Sequence, residues 1–87
     1  MAKTRLQELR ESLGLTRTEL AKRSDVSTRT IKRLEDPDDP GRDNVTDVMK
    51  FRVLNGLNEE RQAKRRSEWS FAQVFPEASG AGDSHVA

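Results

Sequence analysis

Apolar residues recur at helical spacing near the start of the chain. They predict a first helix from about Thr4 to Leu13, which Gly14 is expected to end. Thr4-x-x-Gln7 has the form of a capping box, in which side chains satisfy backbone N–H groups at a helix start. The residues that share one face of this helix are Leu6, Leu9 and Leu13.

Two more helix starts follow, separated by the turn sequence Ser24-Asp25-Val26. Thr16-x-x-Glu19 is a second capping box and predicts that helix 2 begins there. Ser27 is placed to act as the N-cap of helix 3, which we expect over Thr28 to Glu35. Two helices joined by a tight turn form a helix-turn-helix.

Helix 3 separates its apolar and basic residues. Ile31 and Leu34 are three residues apart, so both point toward helix 2. A helix in the DNA major groove needs guanidinium groups for guanine O6 and N7, and small hydroxyls for other base edges. A solvated charged face is the alternative, but the preceding capped helix and turn favour DNA. The opposite face, which we call the basic strip, comprises Thr28, Arg29, Lys32 and Arg33.

These residues belong to a wider pattern: Leu6, Leu9, Arg10, Gly14, Leu15, Thr16, Glu19, Leu20, Ala21, Val26, Ser27, Ile31, Leu34 and Glu35. In this pattern, over about residues 4–57, the chain resembles the lambda-repressor-like helix-turn-helix family of phage repressors and Cro proteins. The resemblance implies that Arg29 and Arg33 read bases. It also implies that Arg17 binds a phosphate and that Arg10 forms a structural ion pair with Glu35.

The predicted fold is therefore all-α, a compact bundle of four to five short helices in which helices 2 and 3 form the helix-turn-helix. The predicted partner is double-stranded DNA, bound by a small phage-type or bacterial repressor or Cro-like regulator. A homodimer would match two operator half-sites about 34 Å apart. The alternative is an antitoxin or adaptor that uses this fold to hold a protein partner. The expected DNA contacts are Arg17, Ser27, Thr28, Arg29, Lys32, Arg33 and Asn44.

Two features depart from the family pattern. The turn residue that is usually glycine is Asp25, which tolerates a left-handed backbone better than most residues. The connection over residues 36–43 is longer and more acidic than the usual loop. Because DNA repels acidic side chains, we expect this acidic loop to point away from it.

Beyond the motif, the sequence predicts a fourth helix from Val45 to Leu54, with Asn55-Gly56-Leu57 as a glycine C-cap. Asn58 would cap a fifth helix from Glu59 to about Glu68, in which Glu60 and Lys64 are spaced as an ion pair. The residues expected to cover the core from helix 4 are Val45, Val48, Met49 and Leu54.

An aromatic segment follows the predicted fifth helix. It either folds back as a lid on helices 1 and 4 or forms a dimer contact. Three regions result: a DNA-binding domain over residues 1–57, a C-terminal helix and aromatic segment over residues 58–76, and a disordered tail over residues 77–87. The residues expected at the lid or dimer contact are Trp69, Phe71, Val74 and Phe75.

Charge is segregated along the chain, although its net value is only +1. Residues 1–35 hold nine Lys or Arg against five Asp or Glu, whereas residues 36–47 hold one against five. A basic amino-terminal half is expected of a protein that contacts phosphates.

The residue types argue against an enzyme. There is no Cys, the one His is His85 in the tail, and no glycine-rich phosphate loop follows a strand. We therefore expect no catalytic residue, metal, cofactor or small-molecule ligand. Without an apolar run long enough for a membrane span or signal peptide, the expected location is the cytoplasm of a bacterial or phage-infected cell.

Overall fold

The computed structural model describes residues 3–76, apart from the side chain of Asp43. These residues form five α-helices and a short 3-10 turn, with no strand, so the all-α prediction is confirmed. Within residues 3–76, no helix has the length and apolar character that a membrane span requires. In chain order the helices are α1 Arg5–Ser12, α2 Arg17–Ser24, α3 Thr28–Glu35, α4 Asp47–Ala63 and α5 Phe71–Val74, and the 3-10 turn is Arg42–Asn44.

The first three helices begin at the predicted N-caps, each of which accepts the backbone N–H three residues ahead. At the start of α2 the capping box is complete, because the Glu19 carboxylate also accepts the Thr16 N–H at 2.9 Å. The Gln7 side chain of α1 instead donates to Glu11. The three N-caps are Thr4, Thr16 and Ser27.

Three helices end on a residue with a left-handed backbone. Gly14 follows α1 with φ 72°, and Asp25 follows α2 with φ 57°, as the sequence predicts. Arg65 does the same after α4 with φ 58°, a position that an arginine rarely occupies. In each case, backbone N–H groups that follow the helix donate hydrogen bonds to carbonyl groups of its last turn, and the helix ends there.

The core lies where α2 packs between α3 and α4, with α1 and α5 closing the remaining side. The largest fully buried side chains include Leu20 of α2 and Ile31 of α3, which the sequence places on facing sides. The buried apolar residues are Leu6, Leu9, Leu13, Leu15, Leu20, Ala21, Ile31, Leu34, Val45, Val53, Leu54, Leu57, Val74 and Phe75.

The prediction for the fourth and fifth helices is wrong. A single 17-residue helix, α4, replaces them and runs through the predicted break at Gly56 and through the predicted cap at Asn58. It begins after the Thr46 N-cap and ends at Ala63, with Lys64 as its C-cap. The boundary expected between residues 57 and 58 therefore falls inside a helix. The predicted Glu60–Lys64 ion pair does form, at 3.2 Å near the end of α4.

Gly56 lies in the helix because α4 crosses α2 there. A Cβ atom at this position would lie 2.2 Å from the Ser24 Oγ and 3.2 Å from the Ser24 Cβ. The close approach buries Ser24, whose hydroxyl has no hydrogen-bond partner among residues 3–76. Glycine thus serves helix packing here and not helix termination.

Two of the four residues expected to cover the core from the predicted fourth helix are exposed. Val45 and Leu54 are buried, but Val48 is 63% exposed and Met49 is 37% exposed. The packing at Gly56 fixes the inward face of α4 around Val53 and Leu57. Val48 is nine residues from Leu57, which is half a turn about the helix axis, so it faces outward.

Residues 69–75, which we call the C-terminal strap, fold back on their own chain. The Asn58 side chain holds the strap, because its Nδ2 donates to the Trp69 carbonyl at 3.0 Å and its Oδ1 accepts the Trp69 N–H at 2.7 Å. Asn58 therefore lies inside α4 and anchors the strap to this helix. The predicted disordered tail, residues 77–87, lies outside the described residues.

Aromatic packing completes the attachment of the strap. The guanidinium of Arg61 lies 4.1 Å from the centre of the Trp69 ring, and Phe71 stacks on the exposed Phe51 at 4.5 Å. Val74 and Phe75 are buried in the core of their own chain. They have little surface left for contact with a second subunit.

We expect Gly56→Ala to lower the free energy of unfolding by about 1–3 kcal/mol, because the added methyl collides with Ser24. Ser24→Ala alone should change it by less than about 0.5 kcal/mol, since that hydroxyl has no partner to lose. The double variant should recover part of the loss. Urea unfolding of the four proteins measures these differences, and equal stability of wild type and Gly56→Ala would contradict the close approach.

Candidate nucleic-acid interface

The basic strip lies on the side of α3 that faces away from the core. Ile31, Leu34 and Glu35 are buried on the inner side. On the outer side Thr28, Arg29 and Lys32 are exposed, and Arg33 is half-buried. The helical positions of Arg29 and Arg33 are only about 40° apart around the axis, so both guanidinium groups leave the helix in a similar direction.

The start of α3 adds hydrogen-bonding groups to this surface. The Ser27 hydroxyl accepts the Thr30 N–H at 3.1 Å and also bonds to the Thr30 hydroxyl at 3.0 Å. Ser27 is therefore committed to the helix cap, while Thr28 stays exposed beside the unpaired N–H groups of the first turn. Such a helix start attracts anions.

Behind α3, a buried carboxylate joins three parts of the motif. The Glu35 side chain has no solvent exposure and accepts two hydrogen bonds from Arg10, at 2.6 Å from Nε and 3.0 Å from Nη2. Arg10 also donates to the Leu15 carbonyl at 2.8 Å. The hydrogen bonds to Glu35 raise the pKa of Arg10, against the lowering effect of burial. This pair is the one that the resemblance implied.

Arg17 is the second arginine on Glu35. Its Nε donates to the Glu35 Oε1 at 2.8 Å, and 40% of its side chain is exposed. Since Nε makes this bond, the terminal Nη groups remain available at the surface. Arg17 also lines one depression together with Lys32 and Lys3, so the expected phosphate contact lies near one end of the basic strip.

The cations of the motif differ in their partners. Arg10 and Arg17 bind Glu35, and Arg23 binds Glu59 and Glu60 of α4. By contrast, no carboxylate within the described part of the chain forms an ion pair with the three cations of the basic strip. These cations therefore form no ion pair within residues 3–76, although Asp36, Asp38 and Asp39 line the same depressions. The three cations are Arg29, Lys32 and Arg33.

Part of the acidic loop lies beside the basic strip, contrary to the expectation that the loop points away. Asp39, Pro40 and Gly41 line the same pocket as the three cations of the strip. The Asp39 carboxylate is turned toward the loop itself, where it accepts the Gly41 N–H at 2.7 Å. At Gly41 the loop approaches Arg33 through its backbone. Asp36 and Asp38 line the neighbouring depression with Arg17 and Lys32.

Asn44 is exposed at the end of the 3-10 turn that follows this loop. The structure therefore groups the predicted contacts in three places: Ser27 to Arg33 along α3, Arg17 at the start of α2, and Asn44 after the loop. Among the described residues, no group of three or more Asp, Glu, His or Cys could hold a metal ion.

Residues 6–35 match a family model described as Helix-turn-helix. This match supports the resemblance of these residues to the lambda-repressor-like helix-turn-helix family. Comparison with curated proteins and with solved structures found no match. The matched segment contains α1, the turn and both motif helices, and it ends at Glu35. Residues 6–35 thus carry a helix-turn-helix, a motif that is typical of DNA-binding regulators.

The sequence did not predict two residues of this surface. Lys3 precedes α1 and lines the depression beside Arg17, and Gly41 contacts Arg33. The sequence gives a weak signal for each: a basic residue before a helix cap, and a Pro-Gly turn. Neither signal indicates which helix the residue contacts in the folded protein.

The two arginines on Glu35 should respond differently to substitution. Arg10→Met should lower the free energy of unfolding by about 3–5 kcal/mol, because it leaves a fully buried carboxylate without its main partner. Arg17→Met should cost less than about 1 kcal/mol, since Arg17 is partly exposed and Glu35 keeps Arg10. Thermal and urea unfolding provide the measurement. Equal losses for the two variants would show that Arg17 is also a structural residue.

Proposed function

We propose that this protein binds double-stranded DNA sequence-specifically and places α3 in the major groove. The observation that carries the proposal is that, within residues 3–76, no cation of the basic strip forms an ion pair, whereas the other arginines of the helix-turn-helix do. An exposed strip of this kind meets phosphates and base edges without first breaking ion pairs within the protein. Its charge would also increase the rate of association with DNA.

Within this proposal, Arg29 and Arg33 read purines, most often guanine, through two hydrogen bonds to O6 and N7. Thr28 contacts a base edge or a phosphate from the first turn of α3. Arg17 binds a phosphate through its Nη groups while Glu35 holds its Nε. Lys32 adds charge between these positions, and Asn44 contacts the DNA backbone beyond the loop.

The proposed role is a small transcriptional regulator, a repressor or Cro-like protein of phage or bacterial type. Support comes from the family of residues 6–35 and from the exposed reading face of α3. Such a protein would act in the cytoplasm of a bacterial or phage-infected cell, where it occupies an operator. Footprinting on the DNA upstream of its own gene tests this role, because a regulator of this kind often controls its own synthesis.

Substitution of the reading arginines should relax base preference. Arg29→Ala and Arg33→Ala are each expected to weaken binding to a selected sequence by about 1–3 kcal/mol and to remove the preference at one or two base pairs. Selection from duplexes with a random core, followed by gel-shift titration, measures both effects.

Lys22→Ala is the matched control, because Lys22 is an exposed cation of α2 outside the basic strip. It should weaken binding to selected and random sequences to the same small extent. Arg17→Ala should weaken both more strongly and reduce the slope of affinity against salt by about one unit. Unchanged base preference in both Arg29→Ala and Arg33→Ala would refute the assignment of α3 as the reader.

A second function, binding to a protein partner, is favoured by one observation. The outer face of α4 exposes Val48 and Phe51, which are about 60° apart around the helix axis, and Phe51 is continuous with Phe71 of the strap. The same face offers a contact for the proposed homodimer, since Val74 and Phe75 are already buried. An adaptor or antitoxin would use this face for a different protein.

The variant Phe51→Asp distinguishes a homodimer contact at this face from a contact with a different protein. If α4 forms the dimer contact, sedimentation should show a dimer for wild type and a monomer for Phe51→Asp, with weaker binding to a two-half-site duplex. Lys50→Asp is a control for the added negative charge on a neighbouring position. A wild-type protein that remains monomeric at high concentration and on DNA would rule out the homodimer.

A further inference from the structure

Gly41 occupies a backbone conformation that does not require glycine. Its φ of −86° and ψ of −1° are accessible to any residue. Hydrogen bonds hold it on both sides, because its N–H donates to the Asp39 carboxylate at 2.7 Å and its carbonyl accepts the Asn44 N–H at 3.1 Å. The residue is buried although it lies in a loop. A different cause must therefore account for the lack of a side chain.

That cause is the side chain of Arg33. A Cβ atom on residue 41 would lie 2.7 Å from the Arg33 Nε, 2.9 Å from Cζ and 3.2 Å from Cδ. The two shortest distances are too small for a non-bonded contact, so a methyl group and the present position of Arg33 exclude each other. The guanidinium lies directly against the backbone of the loop.

We infer that the loop positions Arg33 for base recognition, with Gly41 as the positioning residue. This inference rests on the proposed function and adds a determinant of base preference outside the helix-turn-helix. An arginine side chain has many rotamers, and binding must restrict them to one. The backbone at Gly41 removes part of this freedom before DNA is bound, which favours one direction of the guanidinium.

Arg29 provides an internal comparison on the same helix. It is exposed, whereas Arg33 is half-buried against the loop. Both residues belong to the proposed reading face, but the three atoms that a methyl group on residue 41 would meet first all belong to Arg33. A substitution at Gly41 should therefore alter the base preference that depends on Arg33 and leave the preference that depends on Arg29.

The test uses the full chain and duplexes with a random core of base pairs. Wild type, Gly41→Ala, Arg33→Ala, Arg29→Ala and the double variant Gly41→Ala/Arg33→Ala are each taken through selection and sequencing. Gly41→Ala should lose preference at the base pairs affected by Arg33→Ala and bind the wild-type sequence about five- to tenfold more weakly. Its affinity for random DNA should change by less than about twofold.

The double variant shows whether Gly41 acts through Arg33. It should select the same sequences as Arg33→Ala, with the same affinity. Pro40→Ala is the matched control, since it changes the neighbouring loop residue without placing an atom against Arg33. If Gly41→Ala changes base preference even when Arg33 is absent, the loop acts on DNA directly and the inference is wrong.

A measurement without DNA shows whether Gly41→Ala moves the Arg33 side chain in a protein that is still folded. The Nε–H signal of Arg33 in the NMR spectrum, identified by its absence in Arg33→Ala, should shift in Gly41→Ala while the other arginine signals stay in place. Thermal unfolding should show a folded protein. An unchanged Arg33 signal, or an unchanged selected sequence at equal affinity, overturns the inference and leaves the proposed function intact. A wild-type protein that selects no sequence overturns the proposed function itself.

Discussion

The buried carboxylate of Glu35 connects the first three helices of the protein. It lies at the end of α3, binds Arg10 of α1 with two hydrogen bonds, and binds Arg17 in the first turn of α2. Arg10 adds a bond to the Leu15 carbonyl in the turn between α1 and α2. A carboxylate without solvent is costly unless its hydrogen bonds are complete, so the helices must keep this arrangement. The orientation of α3, and with it of the basic strip, depends on this constraint.

The parts of the fold that the sequence predicts are those determined within one or two helical turns. An N-cap and the backbone N–H that it binds are three residues apart, and α3 therefore begins at Thr28 as expected. Gly14 and Asp25 adopt the left-handed backbone for similarly local reasons. The partnership of Arg10 with Glu35 spans 25 residues, and it entered the prediction only through the family resemblance.

The errors arise where distant residues decide the local structure. Gly56 looks like a helix end in the sequence, but its lack of a side chain is needed for contact with Ser24, 32 residues earlier. Asn58 looks like a cap, yet it holds the backbone of Trp69. Conversely, the chain leaves α4 through Arg65 in the left-handed conformation, which helix propensity does not predict. The same limit hides the contact between Gly41 and Arg33, because it depends on how the acidic loop returns to α3.

The distribution of ion pairs explains how one short motif can combine a stable fold with an open reading surface. Two arginines share Glu35, so this site retains one positive charge in excess, and that charge lies on the partly exposed Arg17. Arg23 is neutralised by α4 on the far side of α2. In the nearby loop, the Asp36 and Asp39 carboxylates accept the backbone N–H groups of Asp38 and Gly41. These two acidic residues therefore stabilise the loop without an ion pair to the basic strip, whose cations stay available for a polyanionic ligand.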